Sequence, residues 1–163
     1  KYNNLEEVSE QHPIFKEVIK EYLLKNSRIN AKLSHQIDTI INGKKPDFLF
    51  FNGSIQHVCY LLFLVEIQCG EIDDSHRGRI IDYNHKVLLK NPYRTFIISA
   101  LTNLDEMILF HSTRTSDNNV RHVSSITIDF WEEGLKYIGQ MLLNPELVGY
   151  HQNYDPRIEI KYS

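Results

Sequence analysis

The sequence predicts an α/β domain in which helices flank a central mixed sheet. Three observations carry that expectation. Apolar runs rich in β-branched and aromatic residues recur at 47–51, 57–68 and 95–101, as the strands of a buried sheet require. Between and around them lie segments whose apolar residues fall at helical spacing. The 163 residues are 42% hydrophobic and 24% charged, an ordinary globular balance that suits one domain with a sizeable core. One domain is therefore expected over residues 1–163. Because the chain opens on Lys1, that domain reads as part of a longer protein.

Taken in order, residues 4–24 read as helical. Asn3 or Asn4 is the expected cap, and Glu6 and Glu7 stand where the helix dipole favours acids. Pro13 divides a short helix from a longer one. Ile14, Phe15, Val18, Ile19, Tyr22 and Leu23 form the apolar stripe of the longer helix, and Glu10, Glu17 and Glu21 lie on its other faces, one of them within potential reach of a metal at the sheet edge. Residues 27–41 are ambiguous, with Leu33, Ile37, Ile40 and Ile41 fitting a helix. Asn42-Gly43 marks a turn, and Asn52-Gly53 a turn of hairpin type between the first two strands. After a polar break at 70–75, residues 76–89 form a helix that Asn91-Pro92 ends. Strands follow at 95–101 and 107–112, then a polar loop at 113–119 and an alternating strand at 124–128. A helix at 129–143 is closed by Pro145. Ile158, Ile160 and Tyr162 alternate with charged residues as a late strand.

Several function classes are disfavoured at once. A net charge of −3 excludes a uniformly basic coat but not a local basic patch. Cys59 and Cys69 are too few for a disulfide framework and read as buried free thiols in a reducing compartment, which places the chain inside the cell, in cytoplasm or nucleus. The apolar run at 58–65 is too short to span a bilayer, so no membrane is expected. His57, His76, His85, His111 and His122 show no metal-ligand spacing, and neither a Gly-rich phosphate loop nor a nucleophile elbow is present.

The chemistry concentrates in two carboxylates. Asp47 opens the first strand after Pro46, and Glu66 stands near the end of the second, on the same strand face as Gln68. A charge inside a sheet needs a partner or a metal. Two carboxylates at adjacent strand ends suit a hard cation such as Mg²⁺, although pairing of Glu66 with an Arg or Lys fits the residues equally.

Pro46-Asp47 followed by Glu66-Ile67-Gln68 resembles the PD-(D/E)xK nuclease motif, with Gln where that family usually has Lys. A longer series is similar to the nuclease-like domain of Crinkler-type effectors and of fungal kinase-linked proteins. It comprises Arg79-Ile80-Ile81-Asp82-Tyr83, Asn91-Pro92-Tyr93-Arg94-Thr95-Phe96, Met107-Ile108-Leu109-Phe110-His111, Phe130-Trp131-Glu132-Glu133-Gly134, and the run from Asn144-Pro145 to Gly149-Tyr150. The resemblance covers roughly residues 44–156. It implies a restriction-endonuclease-like fold and metal-dependent hydrolysis of phosphodiester bonds, DNA being favoured over RNA. It also implies that Asp47 and Glu66 hold Mg²⁺ or Mn²⁺.

In such a site Gln68 can orient a water but cannot act as a base near neutral pH. Lys86 or Arg79, with Tyr83 on one helix face, stand in for the missing Lys. Lys45, Arg77, Arg79 and Tyr83 are the expected nucleic-acid contacts, within a basic cluster that also includes Lys44, His76, Lys90 and Arg94. The alternative is a catalytically inactive nuclease-like module that serves protein binding or homodimerisation within a multidomain protein.

Overall fold

A computed structural model describes residues 2–151. It is a mixed α/β fold built on one seven-stranded sheet. The strands are β1 (Ala31–His35), β2 (Phe48–Asn52), β3 (Leu61–Ile67), β4 (Phe96–Thr102), β5 (Glu106–Arg114), β6 (Val120–Ser124) and β7 (Ile128–Asp129). They lie in the order β1-β2-β3-β4-β5-β6, and β7 also pairs with β5. Every pairing is antiparallel except β3 with β4, which the long helix α2 (Asp74–Lys90) connects. A parallel neighbour demands such a crossover.

Both faces of the sheet are covered, which is why the central strands read as nearly continuous apolar runs. On one face, α1 (His12–Tyr22) and α3 (Leu135–Leu143) set Phe15, Ile19, Ile138 and Leu142 against Phe48, Phe50, Phe63 and Val65. On the other, α2 sets Ile80, Tyr83, Val87 and Leu88 against Leu49, Phe51, Leu61 and Leu64. The period-two alternation slips once: Phe50 faces Phe63 and Phe51 faces Leu61, so Leu62 is an extra residue and joins Phe63 on the α1 side.

Buried Arg94 secures this irregularity. Its guanidinium donates to the carbonyls of Leu61, Leu62 (2.5 Å) and Val148 (2.6 Å), and its Nε to that of Phe96 (3.0 Å). The residue therefore belongs to the interior and not to a basic surface cluster.

The structure corrects several local expectations. The ambiguous stretch 27–41 holds the edge strand β1, in which Leu33 pairs with Phe50, and no helix. Helix α1 is preceded by a π-helical turn, Glu7–Gln11, capped by Glu6 through the Val8 and Ser9 N–H groups; neither Asn3 nor Asn4 caps it. Pro13 sits in the first turn of α1, where its missing N–H is harmless, so the two helical pieces are continuous. Tyr22 leaves the apolar stripe and is exposed. Between β2 and β3 the chain makes a longer connection ending in a 3₁₀ turn, Val58–Tyr60, in place of a tight hairpin. Cys59 is buried, but Cys69 is exposed. The strand expected at the C-terminus lies outside the described residues. Among those described, no helix is long and apolar enough to cross a membrane.

Candidate metal centre

The β2–β3 pairing brings the two expected carboxylates together. Phe48 lies opposite Val65, so Asp47 and Glu66 meet at one end of the pair. The Asp47 N–H donates to Glu66 Oε1 (2.9 Å), and the Ile67 N–H to Asp47 Oδ2 (2.8 Å). Both side chains are buried, and their titrations are coupled. Burial first, and then the neighbouring Asp47 charge, push the Glu66 carboxyl up to about 9; burial likewise raises Asp47. Two adjacent desolvated carboxyls cannot both ionise cheaply, so the pair retains a proton near neutral pH.

A third group arrives from the N-terminal helical segment. His12 is buried at the start of α1, its ring edge-on to Phe48. Its Nδ1 hydrogen-bonds His35 Nε2 of β1 (2.9 Å), and that ring stacks on Phe48. Its Nε2 is buried without a hydrogen-bond partner, 3.6 Å from Asp47 Oδ1 and 3.6 Å from Glu7 Oε1. These separations are too long for hydrogen bonds.

They do match neighbouring ligands of one ion, because bonds of about 2.0–2.2 Å place adjacent donor atoms about 3–3.6 Å apart. One donor atom each from Glu7, His12 and Asp47 falls within 4.8 Å of the others. In the tautomer whose Nδ1–H donates to His35, Nε2 presents a lone pair to the two carboxylates. A ligating imidazole usually has this arrangement, its second nitrogen oriented by a hydrogen bond. Burial, and then His35, lower the His12 pKa, which keeps the ring neutral, as ligation requires.

The remaining expected site residues divide. Gln68 is buried just past the end of β3; its Nε2 donates to the Glu71 carbonyl, and its Oε1 has no hydrogen-bond partner. Arg79 brings its guanidinium to 3.9 Å from Glu66 Oε2 while remaining about half exposed. Tyr83 is buried in the α2-side core, its phenol pushed up to about 12 by burial and then by Glu66. Lys86 pairs with Asp82 (2.9 Å), Arg77 stands 3.9 Å from Asp74, and Lys90 donates to the Ile40 carbonyl (2.6 Å). Lys45 is exposed.

Sequence reasoning missed His12 and His35, and it treated Glu7 only as a first-turn acid. A signal was present: Gln11 and His12 interrupt the approach to a stripe that continues with Phe15 and Ile19, and both prove buried. Of the helix acids, Glu10 accepts from the Glu6 N–H and Glu21 pairs with Lys25, so Glu7 is the one that reaches the site.

Comparison of the chain with family models, with curated proteins and with solved structures finds no match.

Proposed function

We infer that this is a metal-dependent phosphodiesterase acting on nucleic acid, on a PD-(D/E)xK-like scaffold, with its cation held by Glu7, His12 and Asp47. The observation that carries this reading is His12 Nε2, buried without a hydrogen bond and in ion-pair range of two carboxylates at ligand spacing. An imidazole among carboxylates favours Mn²⁺ or Zn²⁺ over Mg²⁺, which prefers oxygen alone.

When bound, a divalent ion supplies Lewis acidity and an activated water. The protein's own groups complete the chemistry. Gln68 Oε1, a buried acceptor with no hydrogen-bond partner, can accept a hydrogen bond from a water admitted to the site and orient it. Arg79 supplies the fixed positive charge that Gln68 lacks, and its exposed guanidinium can meet phosphate oxygens while touching Glu66. The Asp47–Glu66 pair holds a proton in the absence of a cation, so metal uptake at Asp47 would release it.

Calorimetric titration of Mn²⁺ and Mg²⁺ into wild type and His12→Ala, followed by incubation with single-stranded and plasmid DNA, tests the reading. Mn²⁺ should bind wild type more tightly than Mg²⁺, and His12→Ala should lose at least tenfold in Mn²⁺ affinity together with cleavage. A wild-type protein that neither binds metal nor cleaves is instead an inactive binding module.

A further inference from the structure

A basic concavity lies away from α2. Helix α1 and the edge strand β1 enclose a groove of about 470 Å³ lined by Lys16, Lys20, Lys25 and Lys32, with Leu24, Ile29 and Leu33 on its floor. Glu17 and Glu21 also line it, and Glu21 is held by Lys25 at 2.8 Å. Lys16, Lys20 and Lys32 are exposed and have no ion-pair partner among the described residues. In a chain of net charge −3, this groove carries four lysines against two glutamates.

The groove begins one helical step beyond His12, at Lys16. His12, Lys16 and Lys20 follow one another at four-residue steps, so they form one ridge of α1 with a rise of about 6 Å per step. A charged ridge beside an apolar floor offers phosphates a cation and offers sugars and bases a dry surface. Only an unpaired strand exposes both, because a duplex turns its bases inward.

The geometry points to the α1–β1 groove as the track for a single-stranded nucleic acid segment, its phosphates on Lys16, Lys20 and Lys32 and its apolar faces on Leu24, Ile29 and Leu33. The direction of the track, toward Glu7, His12 and Asp47, rests on the hydrolytic function proposed above; binding in the groove does not.

Fluorescence anisotropy with labelled oligothymidylate, run in chelator so that no cleavage occurs, separates the two. The Lys16→Gln/Lys20→Gln double variant changes only exposed side chains, and its melting temperature should match wild type. It should bind the oligonucleotide about tenfold more weakly, and its log–log salt slope should fall by about 1.4, the counterion release expected for two phosphate contacts on a single strand. Unchanged affinity and slope would overturn the groove assignment even if the wild type cleaves DNA. A weakened variant of a wild type that never cleaves would uphold the groove and discard the hydrolytic reading. Tighter binding of an equal-length duplex, or displacement by polyglutamate at equal charge, would also overturn it, the latter in favour of an acidic protein partner.

Discussion

At the scale of single residues, the Asp47–Glu66 pair makes stability depend on pH. Glu66 titrates near 9 in the folded chain against about 4.5 when unfolded, so between these values the native state binds more protons than the unfolded state. Stability is then greatest at low pH and falls as pH rises toward 9. His12 and His35, whose pKa values are lowered, act oppositely, but only as pH drops through about 6.5, their ordinary range. The window from pH 7 to 9 therefore lies above the histidine range and contains the titration of the carboxyl pair. In chelator, the melting temperature of wild type should decline across that window, and Glu66→Gln, which cannot ionise, should flatten the curve; a parallel decline in the variant would show that other groups titrate. Asp47 and Glu66 were legible in the sequence because a carboxylate inside an apolar strand is costly unless used. His12 was not, because a polar residue beside the apolar stripe of a helix resembles one at its wet margin until the facing strand is known.

At the scale of elements, the strands with two covered faces announced themselves. β2, β3, β4 and β5 are runs that only a buried sheet accommodates. β1 did not, because an edge strand of five residues with alternating burial has few apolar positions, and Leu33 with Ile37, Ile40 and Ile41 imitates a helical period. Its conformation is set by the facing β2, a long-range partner that local spacing does not encode. The irregularity at Leu62 is likewise tertiary, and Arg94 makes it specific. Arg94→Met should remove more than about 3 kcal/mol, since several buried carbonyls lose a charge-assisted donor at once. Arg94→Lys should recover little of this, because an ammonium cannot span carbonyls arranged for a planar fork. Urea denaturation of both variants measures the difference; a lysine variant as stable as wild type would show that charge alone suffices.

At the scale of the whole molecule, one sheet carries two cores. Phe15 under α1 and Leu88 under α2 lie on opposite faces, yet both pack on strands of the same hydrogen-bonded sheet. The faces should melt as one unit. Phe15→Ala is expected to cost about 3–5 kcal/mol and Leu88→Ala about 2–5 kcal/mol, each lowering a single shared calorimetric transition; a second transition in either variant would mean separable layers. The contact between β2 and β3 also has a consequence in time. Asp47 and Glu66 are 19 residues apart and join by antiparallel pairing, whereas Glu7 and His12 come from a helix that must dock across the sheet. Closing the shorter loop is the faster event. The carboxyl pair is therefore expected to form before α1 docks, with higher φ-values at Phe50 and Phe63 than at Phe15. A cation that needs Glu7 and His12 finds its ligands assembled only after the rate-limiting barrier, so Mn²⁺ should slow unfolding in stopped-flow measurements and leave the refolding rate unchanged.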